Sequence, residues 1–299
     1  MRDKLKFYFS LLMDFLNFSF VWEFLRRYDL FPKMRIINKS RKSISSEIVK
    51  VLIHEWGGYA PIRTKQIKNK TIFTCGLEYQ LMRFLNYKGN YKIELTVSLS
   101  DIEKYKYAEQ LNDKVKHILP VSNMGYDFSG YSSFLKNIKG DEDSYIILAN
   151  TSVNAIQTNF IDDYIEYMNK NLDVGILGVS YSTKCFQSLI PYNFHPHLQS
   201  FFLLTTKNVL DEIVEANGGK FPGVGIMYKL LLIREGEIKL SEEALKLGYA
   251  LGVVLENGSV FKFKKENIFY NGYHKWKYLQ KGDMRQYVNN PNVINELKI

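Results

Sequence analysis

The chain has 299 residues, 46% hydrophobic and 24% charged, with a formal net charge of +9. That composition gives one large globular domain or two modest ones with a sizeable core, and it excludes a disordered or collagenous chain. Two cysteines far apart, Cys75 and Cys185, with no CxxC pair, exclude a zinc ribbon or a disulfide framework and fit a reducing compartment.

The positive charge sits at the ends. Residues 1–50 carry eleven Lys/Arg against five Asp/Glu, and residues 262–285 seven against two, whereas residues 51–261 hold 21 against 23. A nucleic-acid enzyme more often carries basic charge along its substrate groove, so no nucleic-acid partner is expected. Basic, aromatic ends around a neutral body suit an anionic membrane surface.

The N-terminal segment KLKFYFSLLMDFLNFSFVWEFLRR places eight aromatic residues between Lys6 and Arg26. No small-residue cleavage site follows it, which separates it from a secretory signal. Asp14, Asn17 and Glu23 interrupt it, which makes it a poor spanning helix. It reads as a helix lying in the membrane interface; a helix packed on the protein's own core or on a partner subunit has the same pattern.

From residue 47 the pattern alternates. EIVKVLIHEW (47–56) predicts a buried strand ending at Gly57-Gly58, and CGLEYQLMRFLNY (75–87) a helix with Leu77, Leu81 and Leu85 on one face. YKIELTVSLS (91–100) predicts a strand ending at Asp101, IEKYKYAEQLND (102–113) a helix, and HILPVS (117–122) a short strand. SSFLKNI (132–138) predicts a helix, SYIILA (144–149) a strand followed by Asn150-Thr151-Ser152, and FIDDYIEYMNKN (160–171) a helix. VGILGVSY (174–181) and SFFLLTT (200–206) predict strands, and KNVLDEIVEA (207–216) a helix stopped by Asn217-Gly218-Gly219. A last helix and strand fall in EALKLGYALGVVLE.

This alternation predicts an α/β fold, a mostly parallel sheet with helices on both faces, whose ligands bind outside the carboxyl ends of the strands. Four polar features fall at such ends: Trp56 with Gly57, Asp101, the loop SNMGYDFSGY (122–131), and Asn150-Thr151-Ser152. The expected organisation is a basic aromatic helical segment over 1–46, a central domain over 47–261 and a basic aromatic segment over 262–299.

No Walker A, GxGxxG, GxSxG or HExxH pattern occurs, which argues against a standard ATPase, dinucleotide enzyme, serine hydrolase or zinc protease. One ordered set of motifs is present. Asn123-x-Gly125-x-Asp127 is followed by a helix, the acidic turn GDED, the strand SYIILA and Asn-Thr-Ser. HLQSFFLLTTKNVL (197–210) and GEIKLSEEALKLGY (236–249) come later. This order resembles bacterial GT-A type glycosyltransferases of the rhamnan synthesis protein F family and related polysaccharide glycosyltransferases, over about residues 48 to 255.

The resemblance implies a GT-A-like, Rossmann-like enzyme, peripheral on the cytoplasmic face of the cell membrane. It implies transfer of a sugar from a nucleotide-sugar donor to a growing surface polysaccharide or lipid-linked glycan. The strand-end residues Trp56, Gly57, Asp101, Asn123, Gly125, Asp127, Asn150, Thr151 and Ser152 are then the candidates for holding the nucleotide sugar. Their chemistry fits, since Asn and Asp exchange hydrogen bonds with ribose hydroxyls and base edges, and Gly125 permits close backbone approach. Glu237 matches the family's glutamate and is the candidate base of an inverting transfer. A first-turn acid favouring a helix N-terminus is its structural alternative, and Glu235 and Glu242 are competitors.

Where GT-A enzymes commonly carry Asp-x-Asp to hold a cation on the diphosphate, this chain has Asn150-Thr151-Ser152. A divalent cation such as Mg²⁺ or Mn²⁺ prefers carboxylate oxygen. Two expectations follow. Either transfer is metal-independent, with hydrogen-bond donors and a Lys or Arg neutralising the leaving diphosphate, or Asp127 or another acid supplies a metal ligand. His195 and His197 lie at i, i+2 and share a strand face, but polar residues at the mouth of a sugar pocket explain them better than a metal site does. His197, Gln199 and Ser200 are the candidates for sugar or acceptor contacts.

FYNGYHKWKYLQKG (269–282) interleaves Tyr and Trp with Lys, a pattern for anionic lipid or a glycolipid, for single-stranded nucleic acid, or for a packed amphipathic helix. The alternative reading of the whole chain is a non-catalytic GT-A-like component that binds a glycan or a partner within a polysaccharide assembly complex.

Overall fold

Val49, Val51 and Ile53 are fully buried on one face of the first long strand and Leu52 on the other, the mark of a strand inside a sheet covered on both sides. The computed structural model describes residues 1–27, 38–66, 72–185, 187–190, 193–264 and 292–298. The segment FYNGYHKWKYLQKG lies outside them.

In chain order the elements begin with α1 (Arg2–Leu16), α2 (Ser19–Arg27), β1 (Ile48–Glu55), β2 (Arg63–Gln66), β3 (Ile72–Cys75) and α3 (Leu77–Leu85). There follow β4 (Lys92–Leu99), 3-10 turns at Ile102–Lys104 and Ala108–Leu111, β5 (His117–Pro120), α4 (Asp127–Asn137), β6 (Tyr145–Asn150), α5 (Ile161–Lys170) and β7 (Val174–Gly178). The last group is β8 (Tyr181–Ser182), β9 (His197–Leu198), β10 (Phe202–Thr206), α6 (Lys207–Ala216), α7 (Lys229–Leu232), a π-helical turn (Ile233–Ile238), α8 (Lys239–Lys246), β11 (Ala250–Val254) and β12 (Val260–Phe263).

Eight strands form one sheet in the order β12-β11-β7-β10-β6-β1-β4-β5. The pairs β1–β4, β1–β6, β4–β5 and β7–β11 are parallel, whereas β10 is antiparallel to both neighbours and β12 closes one edge antiparallel. Leu77, Leu81 and Phe84 of α3 and Tyr164, Ile165 and Met168 of α5 cover one face. Residues of α4, α6 and α8, among them Phe134, Ile213 and Leu245, cover the other. The result is a mixed, mostly parallel, Rossmann-like α/β sheet flanked by helices on both faces, as the alternation predicts.

Several local expectations change. Residues 102–113 form two 3-10 turns rather than a helix: Tyr105 is buried and extended, and at i, i+2 Tyr105 and Tyr107 cannot pack from one helical face. The helix after β5 starts at Asp127, five residues before the expected 132, so the second half of SNMGYDFSGY is helical. Gly130 belongs there for packing, since a Cβ on it would lie 2.5 Å from His54 Nδ1. The aromatic N-terminal segment breaks at Phe18, whose φ is 50°, into two helices. No helix among the described residues is long and apolar enough to cross a membrane.

Described residues near both ends pack on the body of the sheet. α1 buries Phe7 and Leu11 against Leu231. Arg41 is buried and donates to the carbonyls of Met168 and Val174. Near the other end, Ile294 joins the core and Asn292 Nδ2 donates to Ser152 O at 2.7 Å.

Candidate functional site

The ends of β1 and β6, the loop after β5, the start of β10 and the helix beginning with α7 come together at the carboxyl ends of the parallel strands, where they line a cavity of about 700 Å³. His54 lies one residue before the end of β1, buried, with its ring nitrogens bonded to Ser98 Oγ at 2.9 Å and Ser100 Oγ at 3.2 Å. Its Nε2 lies 3.8 Å from Asp127 Oδ1. Burial pushes its pKa down despite the pull of Asp127 and Glu55, so the ring is neutral at pH 7. Asn150 ends β6; its amide donates to Asp127 Oδ2 at 2.6 Å while its carbonyl oxygen accepts from Ser152 N at 2.9 Å.

The backbone before Asp127 is forced. Tyr126 has φ 50° and Gly125 φ 105°, one after the other. A tyrosine at positive φ costs on the order of 1 kcal/mol and persists only where its surroundings fix it. Here Tyr126 N donates to Asn123 O at 3.3 Å, and the Ser129 hydroxyl donates to Met124 O. A Cβ on Gly125 would sit 2.8 Å from Ser129 Oγ and 3.1 Å from Gly223 O. The close approach that Gly125 permits is thus to its own helix start and the neighbouring 223–225 loop.

The β2–β3 hairpin brings cations to the cavity. Arg63 donates to Glu55 Oε2 at 2.9 Å and to Thr151 Oγ1 at 2.8 Å, and lies 4.1 Å over the Tyr59 ring. Lys65, two residues on, takes the same strand face, and Lys229 joins from α7. Burial lowers the Lys65 pKa, with Arg63 and Lys229 pushing the same way and Cys75 and Asp127 opposing. Arg63 is neutralised by Glu55, whereas neither Lys65 nor Lys229 has an ion-pair partner among the described residues.

Glu237 sits in the π turn, where the helix widens within one run from Lys229 to Lys246. Its Oε1 accepts from Ser200 N at 2.7 Å and Ser200 Oγ at 3.2 Å, and among the described residues nothing bonds Oε2. Ser241, one turn on, accepts from Leu198 N at 3.0 Å, so this helix holds the Leu198–Ser200 segment at two points. Burial pushes the Glu237 carboxyl up to about 6; the Ser200 donors pull it down, Asp127 adds to the rise and Lys229 opposes it.

Of the residues expected from sequence, Trp56, Asn123, Asp127, Asn150, Thr151, Ser152, Gln199, Ser200 and Glu237 line this cavity. Gly57, Asp101, Gly125 and His197 are not in its lining. Asp101 sits behind Trp56 and accepts from its indole N–H at 2.8 Å; bonds from Lys104 and Trp56 hold its pKa down. Gly57 fits there because a Cβ would lie 2.4 Å from the Asp101 carbonyl oxygen. His197 is buried, donates from Nδ1 to His195 O at 2.6 Å, and burial takes its pKa down to about 4. His195 faces Glu242 at 3.5 Å.

Sequence reasoning missed Arg63, Lys65 and Lys229. Arg63-x-Lys65 is a strand-spaced pair, a faint signal; Lys229 gave none. Asn292, which also lines the cavity, comes from a stretch near the C-terminus that carries no motif.

The donor set among the described residues does not fit a resident divalent cation. Among the described residues no three His, Cys, Asp or Glu side chains gather for a metal. Asp127 is the one carboxylate at the expected place, and the Asn150 amide caps one of its oxygens with a hydrogen-bond donor.

No family model matches the chain, so the expected likeness to the rhamnan synthesis protein F family is not shown. No curated protein matches it either. Among solved structures it is similar to the bifunctional IspDF from Campylobacter jejuni, with 14% identity and a TM-score of 0.34 over 56% of this chain and 43% of that one. The chain thus spans less than half the length of that protein. It is also similar to the mannosyltransferase PcManGT from Pyrobaculum calidifontis, solved in complex with GDP-Man and Mn²⁺, with 10% identity and a TM-score of 0.39 over 96% of this chain and 80% of that one. Overlaps this shallow fix no residue role, and the fold assignment rests on strand order and register.

Proposed function

We propose that this chain is a GT-A-like glycosyltransferase that moves a sugar from a nucleotide-sugar donor to a growing surface polysaccharide or lipid-linked glycan on the cytoplasmic face of a bacterial membrane. The observation that carries the reading is Glu237, a carboxyl raised to about 6 at the strand-end cavity, anchored through one oxygen with the other unbonded among the described residues. A base tuned close to neutral pH and held rigidly is what removal of a hydroxyl proton requires.

In this mechanism Glu237 Oε2 takes the proton of the acceptor hydroxyl. The acceptor oxygen bonds to the anomeric carbon from the face opposite the leaving group. The bond from that carbon to the diphosphate oxygen breaks with its electron pair, and the nucleoside diphosphate departs with inversion at the sugar. Lys65 and Lys229 neutralise the developing charge, with Arg63 held alongside by Glu55. Trp56 offers a face for the base, and Asn123, Asp127, Asn150, Thr151 and Ser152 offer partners for ribose and phosphate. Gln199 and Ser200 adjoin Glu237 on the acceptor side.

Nucleoside diphosphate release from a panel of nucleotide sugars, by wild type and by Glu237→Gln, tests this. Release by wild type and its loss in the variant, with donor binding retained, is expected. Donor binding without turnover in the wild type would favour the non-catalytic reading, and wild-type turnover in the variant removes Glu237 as base.

A further inference from the structure

Helix α1 is apolar on two faces. Phe7 and Leu11 bury against Leu231, and Asp14 on the same side pairs with Arg234. On the opposite side Leu5, Phe9, Leu12 and Leu16 recur at i, i+4, i+7 and i+11, a single helical stripe. With Phe15 they are 50% to 64% exposed. The stripe is therefore not the remainder of a packed face, and its size and continuity go beyond the scattered apolar residues of an ordinary surface. Exposed Arg2, Lys4 and Lys6 accompany it.

On its inner side α1 reaches the segment that borders the cavity. Asp3 of α1 accepts from Met227 N at 2.8 Å. Met227 and Leu230, both exposed, flank Lys229, which lines the cavity. Gly225 N donates to Met124 O at 3.3 Å, and exposed Met124 lies between the cavity residues Asn123 and Tyr126.

We infer that the outer stripe of α1, with Arg2, Lys4 and Lys6 beside it, is a docking surface for an anionic lipid bilayer. Apolar side chains inserting below the headgroups with lysines and an arginine beside them are the chemistry of an interfacial helix. Charge favours this occupant over a second copy of the chain, because anionic headgroups neutralise Arg2, Lys4 and Lys6, whereas α1 of a second copy has only Asp3, bonded to Met227 N, and Asp14, paired with Arg234, to offer them. The docking needs no transferase chemistry. If the proposed function holds, it adds that transfer takes place at a membrane surface.

Flotation with phosphatidylcholine vesicles, with and without phosphatidylglycerol, tests the surface on the intact chain, with no donor present. Wild type is expected to float with the phosphatidylglycerol vesicles and to bind more weakly as salt rises. Phe9→Asp and Leu12→Asp, both at exposed positions, are each expected to lower apparent affinity at least about tenfold. Lys4→Glu with Lys6→Glu is expected to remove the preference for phosphatidylglycerol. The thermal shift given by nucleotide sugars should be unchanged in all of these variants, which separates a failed surface from a failed donor site. Wild type left behind by both vesicle types, or Phe9→Asp floating like wild type, overturns the inference. So does a concentration-dependent dimer that Phe9→Asp dissolves, since the stripe is then a self-interface.

Discussion

Arg234 meets the Asp14 carboxylate at two points, Nη1 to Oδ2 at 2.9 Å and Nη2 to Oδ1 at 3.2 Å, and Arg234 stands three residues before Glu237 on the same π turn. One helix run therefore presents Lys229, Leu232, Ile233 and Glu237 to the cavity and Leu231 and Arg234 to α1. The pair makes α1 a brace for the turn that carries the proposed base. Asp14→Asn keeps the shape and removes the charge. It is expected to cost about 1–2 kcal/mol, because a two-point, partly buried pair exceeds an ordinary surface bridge. It should also lower kcat more than donor affinity. A double-mutant cycle with Arg234→Gln, read in both stability and kcat, checks this; independent effects on kcat would sever the link to Glu237.

Glu237→Gln is expected to lower transfer by about 10²–10⁴-fold while leaving donor binding near wild type. The same change should stabilise the protein. A carboxyl whose folded pKa is raised favours the native state only while protonated, so its ionisation penalises folding as pH rises from 4.5 through about 6. Glutamine never ionises and can still accept from Ser200 N. Above pH 6 the variant should gain about 2 kcal/mol, and below pH 4.5 nothing. Denaturant titration at the two ends of that range measures the difference.

Lys65→Ala and Lys229→Ala are each expected to weaken nucleoside diphosphate binding about tenfold and to affect the free nucleoside little, since a charge-assisted contact to phosphate is lost. Calorimetry with and without EDTA reads both effects. Binding that EDTA abolishes and Mn²⁺ restores, with the lysine variants unaffected, would return the diphosphate to a metal.

Activity and stability should fall together on the acid side, for different reasons. Glu237 must be ionised to act, so kcat should rise through about pH 6 and level off above it. His197 has a folded pKa near 4 against 6.5 when unfolded, so the unfolded chain binds more protons and stability is lost as pH falls from 6.5 to 4. The loss amounts to about 3 kcal/mol from this group; His54, also lowered by burial, acts in the same direction, and the gain from protonating Glu237 between pH 6 and 4.5 offsets part of it. Urea midpoints across that range should fall steeply in wild type and less so in His197→Gln.

The sheet was legible because its strands are short, mostly apolar runs: Val51–Ile53 and Tyr145–Ala149 are apolar and buried throughout, as in a sheet covered on both faces. The polar strand ends followed from the same logic, which is why Trp56, Asn123, Asp127 and Asn150 meet in one cavity. The cations were not legible. Arg63 and Lys65 lie on a two-stranded hairpin whose charged residues look like a loop, and only the folded hairpin brings them to the cavity. The π turn was hidden as well. Gly236 looks like the residue before a helix, yet it sits within one, because a Cβ there would lie 2.9 Å from the Phe128 ring. Read that way, Glu237 falls in a first turn; in the folded chain it is eight residues into the helical run from Lys229.

The most direct measurement is a thermal-shift panel of UDP-, dTDP-, GDP- and CDP-linked sugars on the intact protein in EDTA, repeated with Lys65→Ala combined with Lys229→Ala. One donor class at 100 times its Kd should stabilise wild type by about 2.7 kcal/mol and the double variant far less. No shift with any donor, with or without added Mn²⁺, would contradict the assignment of this cavity to a nucleotide sugar.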